Sequence, residues 1–288
     1  MAKFNMKLCV SSYSFGNLID DDKLGYLGVM DKAKEMGFSA IEYVDDDYMK
    51  KEGFAKNIRE HAEEIGMKIA CFSVGGQLLG SMPDENVEYL CKMVDYAAEM
   101  GAPLMRHDVG GAFKGTYDQA LELLAPRIRK VTEYAESKGV KTMVENHGNL
   151  VQGGERVAKL IEAVNHPNMG ALMDVGNFMC NDLDPVVETS ILTPFAFHVH
   201  VKDFLWKSGM DIGVTSAGGW FRTIAQNWLR GTVIGHGEAK IAQSIEVLKH
   251  WWYDGYVTIE FEGLENNIEG IKIGAKNLKK YLGEWLAE

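Results

Sequence analysis

Four polar residues in this chain each close a short apolar run: Glu145 in KTMVENHG, Asp174 in MGALMDVGN, His200 in FAFHVHVKDF and Glu260 in YVTIEFEG. Three carboxylates and one imidazole form a donor set for a borderline-to-hard divalent ion, Mn2+ first, then Mg2+, Co2+ or Zn2+. Such ions take more ligands than these four, which leaves room for substrate oxygens. A single Glu, Asp or His at a strand end is more often an ion-pair partner or a helix cap. Four of them closing successive runs point to a site.

The elements that would position them follow from a recurring pattern. Amphipathic stretches end in glycine and an apolar run follows, as in KAKEMGFSAIEYV, HAEEIGMKIACFSV, YAAEMGAPLMRHDV and YAESKGVKTMVENHG. Gly37, Gly66, Gly101 and Gly139 lie 29, 35 and 38 residues apart. Each glycine fits the left-handed stop of a helix, and each period fits one strand, one helix and two turns. Eight strands are expected, starting near Lys7, Phe38, Met67, Pro103, Val140, Met169, Phe195 and Tyr256. Helices are expected near Leu24–Met36, Phe54–Ile65, Glu85–Met100, Tyr117–Ser137, Glu155–Val164, Asp184–Leu192, Ala239–Trp252 and Ile268–Leu286. Eight such units make a single-domain (β/α)8 TIM barrel over 1–288, whose strand C-termini share one catalytic face. A long segment at 204–238 exceeds an ordinary βα connection and is expected to form a lid or insert on that face.

Composition narrows the function. The 288 residues suit one large α/β domain, and 46% hydrophobic with 25% charged residues is ordinary for a soluble protein. A net charge of −11 argues against nucleic acid as a partner. No apolar run reaches membrane-spanning length, no signal peptide is evident, and Cys9, Cys71, Cys91 and Cys180 show no CxxC pairing. A cytoplasmic location with free thiols is the expectation.

The motifs ENHG, MDVGN, HVHVKD and TIEFE resemble the xylose isomerase-like TIM barrels, in particular the sugar-phosphate isomerase/epimerase branch. That branch includes ketose 3-epimerases and inosose-processing enzymes, with endonuclease IV more distant. The resemblance implies that Glu145, Asp174, His200 and Glu260 are ligands of a single metal. It also implies that Glu145 and Glu260 exchange protons with a sugar through a metal-stabilised enediolate. The chemistry is proton abstraction beside a carbonyl, with carboxylates as base and acid. Two features depart from the ketose epimerases: Asn177 stands three residues after Asp174 where a histidine is usual, and KDFLWKSG lacks an arginine found after the histidine ligand. The chain instead offers His147, two residues past Glu145, either as a general base or as a hydrogen-bonded neighbour of the metal ligands. That arrangement resembles the catalytic subunits of C-glycoside deglycosidases, in which the same first step leads to elimination from a 3-oxo-glycoside and which work with a small partner subunit.

Further candidates line the expected face. Arg106, His107 and Asp108 follow APLM at the end of the fourth strand and are candidates for sugar hydroxyls, with an ion-pair role as the alternative. Lys202 continues the His198–His200 series and is a candidate to hold a substrate oxygen or stabilise an enolate, with an ion pair to a neighbouring carboxylate as the alternative; Glu262 shares the face of Glu260. Asn177, Arg230, His236 and Trp206 complete the expected substrate-binding set, with the glycines of LRGTVIGHGE forming a candidate anion-binding helix entrance. Tyr13 and Phe15 are candidate stacking surfaces. The partner expectations are a small sugar or glycoside and a homo-oligomer, for which Trp251–Trp252–Tyr253 is a candidate interface. Three readings remain: a sugar isomerase or epimerase, a lyase on 3-oxo-glycosides, and, third, an apurinic endonuclease.

Overall fold

The computed structural model describes residues 6–20, 22–45, 53–110, 113–210 and 218–283. Parallel strands buried on both faces read as near-continuous apolar runs, and that is how the barrel is written. The barrel strands are β1 (Lys7–Ser11), β2 (Ala40–Val44), β3 (Lys68–Val74), β4 (Leu104–His107), β5 (Lys141–Glu145), β6 (Met169–Asp174), β7 (Ala196–Val201) and β11 (Tyr256–Ile259). They pair in parallel and close in the order β1-β11-β7-β6-β5-β4-β3-β2. All eight begin at or within two residues of their expected positions.

The helices are α1 (Gly25–Glu35), α2 (Phe54–Ile65), α3 (Pro83–Met100), α4 (Tyr117–Ser137), α5 (Gly154–Val164), α6 (Pro185–Leu192), α7 (Ile241–His250) and α8 (Asn267–Leu282). The expected last helix ran to Leu286, and its final residues lie outside the described ones. α2 shows the helical logic: Ala55, Ile58 and Ala62 recur on one face and are buried against the barrel. Gly37, Gly66, Gly101 and Gly139 all have φ between 70° and 86°, the left-handed conformation that ends a helix and turns the chain into the next strand. Among the described residues no helix is long and apolar enough to cross a membrane.

Alternation along the strands separates two interiors. Val10, Ile41, Ile69, Val144, Ala171 and Met173 join the large core between barrel and helices. Their strand neighbours form two small clusters, Cys9–Ala40–Ala70 and Cys71–Met143–Leu172, inside the barrel. Two residues further along the same inward register come Glu42, Ser73, Glu145 and Asp174. The site therefore continues the inner packing layers toward the open end of the barrel.

The segment after β7 is a small antiparallel sheet, in contrast to the expected long loop. It comprises β8 (Asp203–Lys207), β9 (Phe221–Arg222) and β10 (Trp228–Thr232), in the order β8-β10-β9. Residues 211–217 of the insert lie outside the described ones. Only Lys202 separates β7 from β8.

Candidate active site

Strand periodicity brings the quartet together. One donor atom from each of Glu145 (β5), Asp174 (β6), His200 (β7) and Glu260 (after β11) falls within 4.8 Å of every other. All are buried or nearly so; His200 is 2% exposed and Asp174 is fully buried. Asp174 Oδ2 and His200 Nδ1 lie 3.9 Å apart; neither has a hydrogen-bond partner, and their nearest charged neighbours are Lys202 Nζ at 3.4 Å from the first and Glu260 Oε1 at 3.5 Å from the second. Buried polar atoms without partners are costly, so two of them aimed at one point, among carboxylates, fit a cation site. Glu145, Asp174, His200 and Glu260 are the residues that would hold the ion.

Glu42, on β2, orients the histidine ligand. Its fully buried carboxylate accepts from Ser73 Oγ (2.9 Å) and from His200 Nε2 (2.7 Å), and lies 3.1 Å from His198 Nε2, which is hydrogen-bonded to Thr258 Oγ1 (2.7 Å). Because a carboxylate only accepts, Nε2 carries a proton, and Nδ1 is the ring atom that faces the centre. Burial works against the Glu42 charge, yet His200 and His198 pull its pKa down to about 2. Glu42 was not among the expected site residues, although a lone carboxylate within the apolar run SAIEYV is a sequence signal for a partnered buried charge.

Two further side chains hold the ligand carboxylates. Asn177 donates from Nδ2 to Glu145 Oε1 (3.0 Å), and its backbone N–H donates to Asp174 Oδ1 (2.9 Å). Its amide is therefore turned to the protein's own carboxylates, which corrects its expected role against the substrate. Asn146 bridges β5 to β6, donating to the Asp174 carbonyl (2.8 Å) and accepting from the Asp174 N–H (2.7 Å).

Arg106 Nη2 contacts Glu145 Oε2 and lies 2.9 Å from Asp108 Oδ1. Asp108 in turn sits 3.1 Å from His147 Nδ1. His147 is half exposed and lines the cavity, although β5 stops at Glu145 and His147 makes only an isolated bridge to Val151. The hydrogen bond to Asp108, opposed by burial and helped by the charge of Glu145, raises its pKa above the ordinary histidine range.

Lys202 Nζ lies 2.5 Å from Glu260 Oε2, 3.2 Å from Glu262 Oε1 and 3.4 Å from Asp174 Oδ2. Burial opposes the ammonium, but these carboxylates, Asp174 first, hold its pKa well above the usual lysine value. Burial likewise opposes the Glu260 charge, yet Lys202 and His200 keep that carboxyl well below its usual range. Burial raises Asp174 to about 7, with Lys202 opposing and Glu260 and Glu145 reinforcing. Around the centre, Glu42, Asp108, Glu145, Asp174, Glu260 and Glu262 outnumber the permanent cations Arg106 and Lys202. A divalent cation fits that imbalance.

The remaining expected residues fall elsewhere. His107 alternates with Arg106 and Asp108 and does not line the cavity; burial, opposed by the Asp108 carbonyl, lowers its pKa to about 4. Trp206, on the separate small sheet, borders another hollow with Met179 and Lys240. Arg230 lies over the Trp220 ring (5.1 Å) and does not line the cavity. His236 is exposed in a turn. The glycine-rich entrance before α7 already holds an anion from within the chain: Gly235 and Gly237 N–H donate to Asp203 Oδ2 (2.8 and 2.9 Å), and Ala239 N–H to Oδ1 (3.0 Å). Phe15 is fully buried, whereas Tyr13 is half exposed and lines the cavity.

The fold is shared widely. A solved structure of L-ribulose 3-epimerase superposes with a TM-score of 0.76 at 15% identity, covering 96% of this chain and 95% of that one. The IOLI protein with a bound zinc atom gives 0.78 at 16%, covering 98% and 100%. A xylose isomerase-like TIM barrel protein from Mycobacterium smegmatis in complex with magnesium gives 0.74 at 16%, covering 100% of both chains. Among curated proteins no sequence matches. The profile of one family matches residues 30–281, most of the length and all four strand ends of the quartet: the chain belongs to the xylose isomerase-like TIM barrels.

Proposed function

We propose that this protein is a divalent-metal-dependent sugar isomerase or epimerase that removes a proton from a carbon beside a carbonyl. The observation that carries the reading is the convergence of the quartet, with Asp174 Oδ2 and His200 Nδ1 buried and lacking hydrogen-bond partners. Similar folds that bear the names of epimerases, or that hold zinc or magnesium, are consistent with it. A bound divalent ion, Mn2+ by preference, would supply Lewis-acid stabilisation of the negative charge that develops as the proton leaves.

The chain's own residues account for the rest. Glu145 and Glu260 are the acid–base pair of the epimerase reading. Asn177 and Arg106 engage the two oxygens of Glu145, and Lys202 neutralises Glu260. His147 is oriented by Asp108 at the mouth of the cavity, where a substrate C–H can approach. Lys202, anchored among three carboxylates, is positioned to hold a substrate oxygen and share its charge. General acid–base assistance of this kind contributes roughly 10²–10⁴-fold per group.

The His147–Asp108 pair favours a second reading. It offers a base that is not a metal ligand, as a lyase acting on 3-oxo-glycosides would use, with the same first step followed by elimination. Incubating the Mn2+-loaded protein with ketoses and 3-oxo-glycosides in deuterated water separates the outcomes. Exchange at the carbon beside the carbonyl supports both, and release of the leaving group marks the lyase. Absence of exchange with every substrate, with metal shown to be bound, removes both readings.

A further inference from the structure

Past the end of β5 the chain makes a tight turn that carries His147. Gly148 and Asn149 both take left-handed φ values, 78° and 62°, and His147 meets the fully buried Val151 in an antiparallel bridge. Three side chains hold the backbone of that turn. Gln152 Oε1 accepts from the Asn149 N–H (2.8 Å), Asn181 Nδ2 donates to the Asn149 carbonyl (3.0 Å), and Arg156 Nη1 donates to the Leu150 carbonyl (3.0 Å).

The other end of the Gln152 amide reaches a different loop. Its Nε2 donates to the Asn177 carbonyl (2.6 Å), and the residue is only 2% exposed. Asn177 belongs to the 3-10 segment Gly176–Asn181 that follows β6, and its N–H and side-chain amide hold Asp174 Oδ1 and Glu145 Oε1. With N–H, Nδ2 and carbonyl all engaged, Asn177 is fixed from both sides. An amide suits this post because it offers a donor and an acceptor at one end of a neutral side chain, where a carboxylate would only accept and an ammonium only donate. Gln152 itself is anchored, between the bridged Val151 and Gly153, the N-cap of α5.

We infer that Gln152 is a positioning residue: it locks the turn that carries His147 to the residue that holds two of the quartet's carboxylates, and so sets where the base stands relative to the metal ligands. The inference rests on the quartet as a metal site and on His147 as the base. Barrel geometry cannot do this alone, because β5 ends at Glu145 and leaves His147 outside the strand ladder. Proton transfer demands such control, since a misplacement of about 1 Å can cost roughly 10²-fold in rate. Gln152 lines neither the metal centre nor the cavity and acts only through Asn149 and Asn177.

The test takes two readouts from each protein. Calorimetry gives the Mn2+ affinity, and NMR of the Co2+-loaded protein gives the pseudocontact shift of the His147 ring, which depends on its distance and direction from the ion. Gln152→Met keeps the bulk of the side chain and removes both hydrogen bonds. It is expected to weaken Mn2+ binding about tenfold, as loss of a group that orients metal ligands does, and to displace the His147 shift. Asn181→Ala removes one hold on the turn and none on Asn177; it is expected to displace the His147 shift with Mn2+ affinity within about twofold of wild type. Gln152→Asn, too short to span both loops, gives the same readout if Gln152→Met does not fold. A Gln152 variant that changes only one readout or neither, or an Asn181→Ala protein that loses as much Mn2+ affinity, overturns the inference. Wild-type protein that binds no Mn2+ sinks the metal reading and the inference with it, whereas wild-type binding with an indifferent Gln152 variant sinks the inference alone.

Discussion

Replacing Glu42 with glutamine tests whether a carboxylate outside the quartet governs the metal. Glu42 accepts two hydrogen bonds, of 2.7 and 2.9 Å, and lies 3.1 Å from His198 Nε2 in a fully buried position. An amide in its place offers one oxygen for the Ser73 and His200 donors and can turn an N–H toward the imidazole, so the His200 tautomer is no longer dictated. Partners of this kind are typically worth 10–100-fold in metal affinity, about 1.4–2.7 kcal/mol. Stability should fall as well. The folded carboxyl is depressed to about 2 from 4.5, so its contribution is present above pH 4.5 and lost as the pH falls toward 2. Each pKa unit is worth 1.36 kcal/mol, which puts that contribution at about 3 kcal/mol near neutrality. The assay pairs Mn2+ calorimetry with thermal unfolding of wild type, Glu42→Gln and Ser73→Ala, and with imidazole nitrogen shifts of His200. Ser73→Ala, which leaves the His200 bond in place, is expected to keep metal affinity within about threefold. A folded Glu42→Gln protein that binds Mn2+ within twofold of wild type, with the His200 tautomer unchanged, would refute the reasoning.

Other expectations follow from the same geometry. Asp174→Asn should abolish detectable Mn2+ binding yet raise the melting temperature of chelator-treated protein at pH 8. A carboxyl raised from 3.8 to about 7 costs up to about 4 kcal/mol when forced to ionise in the fold, a penalty present above pH 7 and absent below 3.8; no rise in melting temperature would count against this. Lys202→Met should tighten Mn2+ binding about tenfold or more, because an ammonium 3.4 Å from Asp174 Oδ2 repels a divalent ion, while turnover drops about 10²-fold; weaker metal binding contradicts it. Asp108→Asn should shift the acidic limb of the kcat/KM profile to lower pH, since Asp108 is the main cause of the raised His147 pKa, and an unmoved limb removes His147 as the base. Asp203→Ala leaves three loop N–H groups without their acceptor and should lower stability by about 2–4 kcal/mol, read by urea unfolding.

The barrel and the quartet were legible because both depend on local periodicity. Apolar runs stopped by glycine mark βα units, and in a parallel barrel the last inward residues of successive strands share one face, so strand ends alone locate Glu145, Asp174, His200 and Glu260. What was not legible depends on partners distant in the chain. Glu42 meets His200 158 residues away, and although a lone carboxylate in SAIEYV signals a buried partner, nothing in that run says which residue it is. The N–H groups around Gly235 looked available for an external anion because their acceptor, Asp203, lies more than 30 residues upstream. Trp206 and His107 were placed in the site by proximity to it in sequence, but Trp206 belongs to the separate small sheet and strand alternation turns His107 away.

The single residue between β7 and β8 has a mechanical consequence. His200, Lys202 and the first strand of the small sheet form one unbroken stretch of chain, and Asp203 clamps that stretch to the approach of α7. The small sheet is therefore joined without an intervening turn to an ammonium that lies 2.5, 3.2 and 3.4 Å from three carboxylates. A molecule that binds against the sheet is expected to alter the electron paramagnetic resonance of Mn2+ added to the protein before a covalent bond in it has changed.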